Sequence, residues 1–244
     1  VGHGGCLVLE SPDGRVLLYD AGAMAGPDVT QRQIAPFLWQ RGIRRLDEIF
    51  LSHADLDHFN GLPALLPRFA VGQVTTTPTF QERPTAAVQH TLAALGRSRI
   101  PLRTVKAGDR LFAGPLEIEV LHPPAHGLEQ GTENARSLVL RLCHEGHTLL
   151  LTGDLESPGL EQVLSLPRRP VDVLLAPHHG SRFSNRPELA DWARPRVVVS
   201  CQGPPRGPVR TPNPYACRGA HYLTTWSEGA VTVCSRPGEL IVET

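Results

Sequence analysis

Short apolar runs separated by turn residues dominate the first half of the chain. Two such runs, residues 6–10 and 15–20, flank Ser11-Pro12-Asp13-Gly14, and this arrangement predicts a β-hairpin. Apolar residues spaced three and four apart from Ile34 to Arg41 predict a helix that ends at Gly42. The same reasoning predicts strands over 48–51 and 71–75 and helices over 62–69 and 86–95.

The second half of the chain combines alternating strands with strand–helix units. Apolar and polar residues alternate over 116–121 and 137–142, which predicts half-buried strands. Further predicted elements are a buried strand at 148–151, a helix at 158–166, a strand at 171–175, a helix–strand unit over 187–200 and a closing hairpin of 231–233 with 240–242. The Pro-, Gly- and Arg-rich residues 202–214 predict a long surface loop. We see no repeat and no linker, so the order predicts one α/β domain over residues 1–244.

Acidic and imidazole side chains follow several of these strands. Asp20, the segment 53–58, Asp154 and the pair His178-His179 each come directly after an apolar run. In layered α/β folds the carboxyl ends of the strands line the ligand crevice. These residues are therefore the first candidates for a functional site.

The densest cluster is Ser52-His53-Ala54-Asp55-Leu56-Asp57-His58. Imidazole and carboxylate together suit zinc or manganese. In an extended loop His53, Asp55 and Asp57 would project to one side, and His58 would reach a second ion. The alternative is a polar helix start with Asp and Ser as caps. A cap needs one such residue rather than four, which favours the metal site.

Charge and cysteine content narrow the function classes. With 24 basic and 24 acidic residues the chain has no net field to attract nucleic acid. Arginines nevertheless concentrate between 168 and 218, either as solvated surface or as a groove for DNA phosphates built from Arg182, Arg186, Arg206 and Arg210. Five cysteines without CxxC spacing argue against a disulfide framework and a cysteine–zinc site.

The chain contains no apolar run near the roughly 20 residues of a membrane helix. It begins abruptly at Val1, almost inside a strand. We therefore expect a domain excised from a larger protein, with a membrane-embedded parent as one possibility.

The strand-end motifs resemble the metallo-β-lactamase fold superfamily. They are Asp20, His53-x-Asp55-x-Asp57-His58, Gly153-Asp154 and Pro177-His178-His179-Gly180-Ser181. Most members carry HxHxDH, whereas this chain has Asp55 at the second histidine. That variant, with LLTGD and PHHGS, resembles the soluble domain of ComEC-type DNA-uptake competence proteins. The opening residues 1–5 and the segment 133–140 fit the same family, and the resemblance covers roughly residues 1–233.

The resemblance implies a four-layer αβ/βα sandwich with a two-metal site at one edge. It implies a nuclease that degrades the DNA strand not taken up during transformation, so single-stranded DNA is an expected partner. The parent would be a bacterial inner-membrane channel protein with many transmembrane helices, and we expect this soluble domain on its extracytoplasmic side. As an isolated domain we expect a monomer.

Two departures from the family pattern limit what can be carried over. The family's third motif is a histidine on a Gly-rich turn, and the nearest counterpart here is Asn134, a weak metal ligand. The family often shows Asn-x-Tyr/Phe-x-His-Pro near the C-terminus, and residues 213–217, Asn-Pro-Tyr-Ala-Cys, lack that histidine. The missing second and third histidines argue against β-lactamase activity.

The resemblance also suggests a ligand set. Two divalent ions about 3.5–4 Å apart would hold a bridging water and the scissile phosphate. The first ion would take His53, Asp55 and, as a further candidate, Asn134. The second would take Asp57, His58 and His178, with Asp154 bridging both ions. The carboxylate-rich, cysteine-free set favours Mn²⁺ over Zn²⁺.

Several roles stay open at the level of sequence. Asp20 is expected to position a loop or a ligand histidine, with metal ligation or a plain turn as alternatives. Neighbouring residues on a strand point oppositely, so one of His178 and His179 should bind metal. We favour His178 as the ligand, which makes His179, with Asp57, a candidate catalytic residue, His179 as a proton donor to the leaving group.

Substrate contacts are predicted at three residues of the segment that follows this pair of histidines. They are Ser181, Arg182 and Asn185, although Ser181 and Asn185 would equally cap the helix near Pro187. Three functions remain in competition. The favoured one is a metal-dependent DNA nuclease or phosphodiesterase. The alternatives are a two-metal hydrolase of a small phosphodiester or ester, and a degenerate domain that binds DNA through its Arg-rich face.

Overall fold

The computed structural model describes residues 1–204 and 213–244. Its strands are β1 (Leu7–Glu10), β2 (Val16–Tyr19), β3 (Arg45–Leu46), β4 (Glu48–Phe50), β5 (Ala70–Val71), β6 (Val74–Thr76), β7 (Leu102–Thr104), β8 (Arg110–Ala113), β9 (Leu116–His122), β10 (Val139–His144), β11 (His147–Leu151), β12 (Val173–Leu175), β13 (Val197–Ser200), β14 (His221–Thr224), β15 (Thr232–Arg236) and β16 (Glu239–Glu243).

The α-helices are α1 (Ala35–Gln40), α2 (Leu56–Phe59), α3 (Leu62–Leu65), α4 (Pro78–Glu82), α5 (Ala86–Ser98), α6 (Gly159–Ser165), α7 (Pro187–Ala193) and α8 (Thr225–Glu228). Short 3₁₀ turns lie at Asn134–Arg136, Pro177–Gly180 and Ala216–Arg218, and a π-helical turn at Thr30–Ile34 precedes α1. None of the helices in these described parts is long and apolar enough to cross a membrane.

Two mixed sheets form the centre of the molecule. The first has the order β1-β2-β4-β6-β7, in which β1 and β2 form the antiparallel hairpin and the others run parallel to β2. The second has the order β14-β13-β12-β11-β10-β9-β8, antiparallel from β8 to β11 and parallel from β11 to β14. Small separate sheets pair β3 with β5 and β15 with β16.

Alternation along the strands divides the core into three layers. On β2, Leu17 and Tyr19 face the second sheet, whereas Leu18 packs with the helices outside. On β11, Leu151 faces the first sheet and Leu150 packs with the other outer helical layer. Period-two alternation of large apolar side chains lets each sheet bury both faces. The four-layer αβ/βα sandwich predicted from the sequence is thereby confirmed.

Hydrogen bonds also join the two sheets beside the strand ends. Tyr19 Oη donates to the carbonyl of Leu138 at 2.6 Å, and both residues are fully buried. The Leu138 amide in turn donates to the carbonyl of Ser52 at 2.7 Å. The segment before β10 is therefore fixed to the loop after β4, and both sheets present their carboxyl ends at one edge.

Several element boundaries differ from the predictions for physical reasons. The helix predicted over 62–69 ends at Leu65, because Pro67 has no N–H to donate to the carbonyl of Pro63 and the series of helical hydrogen bonds stops there. The strand predicted over 71–75 is divided into β5 and β6 around Gly72, whose amide bonds to the carbonyl of Leu46. The extended loop expected over His53, Asp55 and Asp57 ends at Asp55, because α2 begins at Leu56 and carries Asp57 and His58.

Candidate metal centre

Asp20 is a buried carboxylate that accepts hydrogen bonds from two residues of the site. It follows β2 with φ of 62°, a left-handed conformation that Asp and Asn tolerate better than most residues. Its carboxylate accepts hydrogen bonds from the Ser52 amide at 2.7 Å and the Ser52 hydroxyl at 2.8 Å. It also accepts one from His58 Nδ1 at 2.7 Å. Asp20 thus holds the imidazole of His58 from behind, and its role in positioning a metal ligand stays a prediction.

A second histidine is held through the same serine. The Ser52 hydroxyl donates to Asp20 and therefore accepts from His53 Nδ1, which lies 2.9 Å away. His53 is 1% exposed, and its Nε2 has no hydrogen-bond partner. The network places the Nδ1 proton of both histidines toward Ser52 and Asp20. The Nε2 atoms of His53 and His58 are consequently directed away from Ser52 and Asp20, into the site.

The third contributor is the turn after β12. His178 and His179 both have left-handed backbone, with φ of 50° and 51°. The turn sends the two rings apart, with ring centroids 6.3 Å from each other and planes inclined by 72°. His179 Nδ1 donates to the carbonyl of Cys201 at 2.8 Å, so the Nε2 of His179 also faces the site. The separation of the two rings arises from this turn and not from the strand alternation predicted from sequence.

Four side chains converge at this edge of the sheets. One ligand atom from each of Asp57, His58, Asp154 and His179 lies within 4.8 Å of all the others. Nε2 of His179 is 3.1 Å from Asp57 and 3.4 Å from Asp154. Nε2 of His58 is 3.1 Å from Asp154, yet that nitrogen is buried without an aligned hydrogen bond.

Such a set fits a divalent metal ion. Two carboxylates and two imidazoles whose Nδ1 atoms are already engaged are the ligands that zinc and manganese prefer. His179 Nε2 forms a hydrogen bond with Asp57, whereas the close but unaligned approach of His58 Nε2 to Asp154 suits ligands directed at a common centre. The cluster is therefore a candidate divalent metal site.

Burial and charge pairing shift the pKa values within this cluster. Burial alone would lower the pKa of His58, but the carboxylates of Asp154 and Asp20 raise it well above its ordinary value. For His179 the carboxylates of Asp154 and Asp57 likewise outweigh burial and raise the pKa to about 9. Burial opposes ionisation of Asp154, but His58 and His179 hold its pKa well below its usual range. In the metal-free protein these imidazoles therefore hold protons that a metal ion would have to displace.

The proposed first-ion ligands form a less complete group. Burial and the neighbouring His58 lower the pKa of His53 to about 3, so its imidazole is neutral. Its Nε2 lies 3.8 Å from Asp55 Oδ2, and Asp55 is 40% exposed. Burial raises the pKa of Asp55, and Arg83 opposes this rise. The side-chain oxygen of Asn134 is buried without a partner. His53 and Asp55 are thus adjacent, and ligation of an ion by them and Asn134 stays a prediction.

The preference for His178 as a ligand has less geometric support than the alternative. His178 is 34% exposed, and its Nε2 is 3.8 Å from Asp154. Its Nδ1 lies 3.3 Å from Glu156 Oε2. His179 is more buried and nearer to both carboxylates. The geometry therefore favours His179 as the metal ligand and leaves His178 as the candidate proton donor.

The predicted substrate contacts differ in their availability. Asn185 is 7% exposed, donates to the carbonyls of Pro177 and Ser181, and accepts from Tyr215. Its amide fixes the histidine turn, which leaves little capacity for a substrate. Ser181 lies in the same turn, and its amide bonds to the His178 carbonyl.

The arginines of the predicted groove are also unequal. Arg182 is exposed, and its guanidinium lies 4.8 Å from the centroid of the Phe183 ring. Arg186 pairs with Glu161 at 2.8 Å. Arg206 and Arg210 lie outside the described residues. Among the four, Arg182 is therefore the described guanidinium that has no carboxylate partner.

Sequence reasoning missed three residues that shape the site. Ser52 connects Asp20 to both histidines, and Ser137 Oγ accepts from the Asp154 amide at 3.1 Å. Ser52 directly precedes His53, and Ser137 lies within the recognised segment 133–140, so both were next to a signal. Arg83, 4.0 Å from Asp55, lies between the predicted strand 71–75 and the predicted helix 86–95, with no motif around it.

Comparisons with known proteins agree with this architecture. A family model described as the metallo-beta-lactamase superfamily matches residues 1–201. ComE operon protein 3 of Bacillus subtilis is 30% identical over 217 residues, which is 83% of this chain and 27% of that protein. Competence protein ComA of Neisseria gonorrhoeae is 30% identical over 201 residues, 82% of this chain and 26% of that protein.

The chain thus spans about a quarter of the length of these curated relatives. Among solved structures, the metallo-beta-lactamase fold protein YhfI of Bacillus subtilis superposes with a TM-score of 0.55 at 14% identity, over 100% of this chain and 97% of that one. Fold, strand-end cluster and family match agree, and the chain belongs to the metallo-β-lactamase superfamily.

Proposed function

We propose that this chain is a metal-dependent phosphodiesterase that hydrolyses DNA, as one domain of a bacterial DNA-uptake protein. The observation that supports this most is the convergence of Asp57, His58, Asp154 and His179 within 4.8 Å. Two relatives that share most of this chain are named as ComE operon and competence proteins. Single-stranded DNA is the proposed substrate.

The chain's own residues have distinct parts in this proposal. Asp20, Ser52 and the carbonyl of Cys201 hold three imidazoles with Nε2 facing the site. A divalent ion held there, Mn²⁺ or Zn²⁺, would supply Lewis acidity that acidifies water and offsets charge on the phosphate. We assign His179 as a ligand together with Asp57, His58 and Asp154. His178, at the exposed mouth of the site, takes the role of proton donor to the leaving group.

A second ion remains part of the proposal. His53 and Asp55 would bind it, with the unpartnered oxygen of Asn134 as a further ligand. Asp154 is the proposed shared ligand, because a carboxylate can bind one ion with each oxygen. In support, Asp154 lies beside His58 and His179, and its charge also acts on His53, a ligand of the other proposed ion. The rest of the parent protein, proposed to be a channel in the bacterial inner membrane, would deliver the DNA strand to this domain on its extracytoplasmic side.

The test is cleavage of single- and double-stranded DNA by purified protein that has been stripped of metal and then supplied with Mn²⁺, Zn²⁺ or Mg²⁺. Asp57→Ala should abolish metal-restored cleavage. The matched control is Asp28→Ala, because Asp28 is an exposed carboxylate that pairs, among residues 1–204 and 213–244, only with Arg32. Hydrolysis of a small phosphodiester without DNA cleavage would support the second function considered from sequence. Metal binding without hydrolysis of either substrate would refute the enzymatic proposal.

A further inference from the structure

Arg83 lies beside Asp55, one of the residues proposed to bind the further ion, and is held from behind by a buried carboxylate. It follows the last residue of α4, and its Nη1 lies 2.6 Å from Glu133 Oε1. Glu133 is only 8% exposed and also faces Arg136 Nη1 at 3.5 Å. Because Glu133 already has a second arginine partner, charge neutralisation alone does not account for Arg83.

The other arm of this guanidinium faces the site. Arg83 Nη2 lies 4.0 Å from Asp55 Oδ1, which is an ion-pair distance but too long for a hydrogen bond. Within the described residues Nη2 donates no hydrogen bond, and the side chain is 35% exposed. Arg83 therefore presents unused N–H donors beside Asp55, in a direction fixed by Glu133.

A planar guanidinium with free, preoriented donors matches the geometry of a phosphate group. We propose that Arg83 binds a phosphate of the substrate beside the metal centre and that Glu133 acts as the positioning residue for it. The identity of the substrate as DNA rests on the proposed function. Binding of the phosphate group itself does not, because it depends only on the anion and the guanidinium.

The chain offers a closely matched control for this idea. Arg103 pairs with Glu48 with exposures of 37% and 16%, nearly those of the Arg83–Glu133 pair at 35% and 9%. Glu48 begins β4, whereas the site lies beyond the other end of that strand. Arg103→Gln therefore removes a comparable ion pair outside the site.

The experiment is a calorimetric titration of Mn²⁺-loaded protein with inorganic phosphate. We expect Arg83→Gln to weaken phosphate binding by roughly ten- to a hundredfold, since it removes charge-assisted hydrogen bonds. Arg83→Lys should lose less because it keeps the charge, and Arg103→Gln should bind phosphate as the wild type does. Bound manganese per chain should be unchanged in all three variants.

Unchanged phosphate affinity in Arg83→Gln, with a melting temperature lowered as in Arg103→Gln, would overturn the proposal and leave Arg83 a structural ion pair. If Arg83→Gln fails to fold, Glu133→Gln provides the second test, because it retains the guanidinium but loosens it. We then expect a smaller loss of phosphate affinity, and no loss would again overturn the proposal.

DNA cleavage separates this proposal from the proposed function. Loss of phosphate binding in Arg83→Gln while no variant cleaves DNA would retain the anion site and refute the nuclease. DNA cleavage with an unchanged KM in Arg83→Gln would retain the nuclease and refute the anion site. If both proposals are right, KM for DNA rises in this variant more than kcat falls.

Discussion

Asp20→Asn tests how the chain fixes the state of a ligand histidine. Asparagine has nearly the same size and tolerates the left-handed backbone at φ of 62°, so the change isolates charge and proton donation. In the wild type, Asp20 accepts a hydrogen bond from His58 Nδ1 at 2.7 Å. If the asparagine keeps its oxygen toward the Ser52 amide, its NH₂ group faces His58. The imidazole then has to accept at Nδ1 and carry its proton on Nε2, the atom that faces Asp154.

The magnitudes follow from the contacts that are lost. Hydrogen bonds to charged groups contribute about 1.5–3 kcal/mol and neutral ones about 1 kcal/mol, so the metal-free variant should lose about 1–2 kcal/mol of unfolding free energy. Changes to groups that orient a metal-bound histidine typically weaken metal binding about 10–100-fold. Asp20 also helps raise the pKa of His58. The stability difference should therefore be full below pH 6.5 and decline as pH rises through the higher pKa of the folded protein.

The assay combines urea unfolding in a chelator with calorimetric Mn²⁺ titration. Asp47→Asn is the matched control. Asp47 lies outside the site, accepts a hydrogen bond from the Val16 amide at 2.9 Å and forms an ion pair with Arg45. It should lose stability but no metal affinity. Wild-type Mn²⁺ affinity in Asp20→Asn, or an equal loss in Asp47→Asn, would refute the reasoning.

Three further predictions concern the hydrogen bond between the sheets at Tyr19 and the turn that carries His178 and His179. Tyr19→Phe removes the buried hydrogen bond to the Leu138 carbonyl, so the free energy of unfolding in urea should fall by about 1–3 kcal/mol while Mn²⁺ affinity is unchanged. A loss of Mn²⁺ affinity would contradict a purely structural role. After dialysis, the metal content of His179→Ala should be lower than that of His178→Ala by about tenfold or more, as measured by elemental analysis. The opposite order would restore His178 as the ligand, the assignment favoured from sequence. Since the pKa of His179 is raised to about 9 without metal, affinity for Mn²⁺ should increase from pH 6 to pH 9 with proton release, measured in buffers of different ionisation enthalpy; a pH-independent affinity would show that no proton is displaced.

The sequence predicted the strand-end clusters well because each depends on local order. Segment 53–58 and the pair His178-His179 follow apolar strands, and strand ends in such folds face a crevice. The hairpin of β1 and β2 could also be predicted, from its Ser-Pro-Asp-Gly turn. Family resemblance supplied the sandwich itself, which the strand pattern alone left as an unspecified α/β fold.

What could not be predicted depends on backbone geometry and on distant partners. Sequence alternation could not show that His178 and His179 lie in a left-handed turn, which decides the ring that faces Asp57. Nor could it show that Arg83, 28 positions beyond Asp55, returns to within 4.0 Å of it. Both facts follow from how the segments pack. None of these three residues lies in an apolar pattern that would predict where its side chain points.

The seam made by Tyr19, Ser52 and Leu138 has a consequence for how the chain folds. Asp57 and His179 are separated by 122 positions, and the Tyr19 bond spans 119. Contacts of such long sequence separation form only after the entropy of closing the intervening loop has been met, so they arise late and slow the rate of folding. His53 to His58 can gather within the first half alone, but Asp154 and His179 join them only once the second sheet has docked. Assembly of the centre therefore reports completion of the whole sandwich, and a chain arrested before docking would lack it.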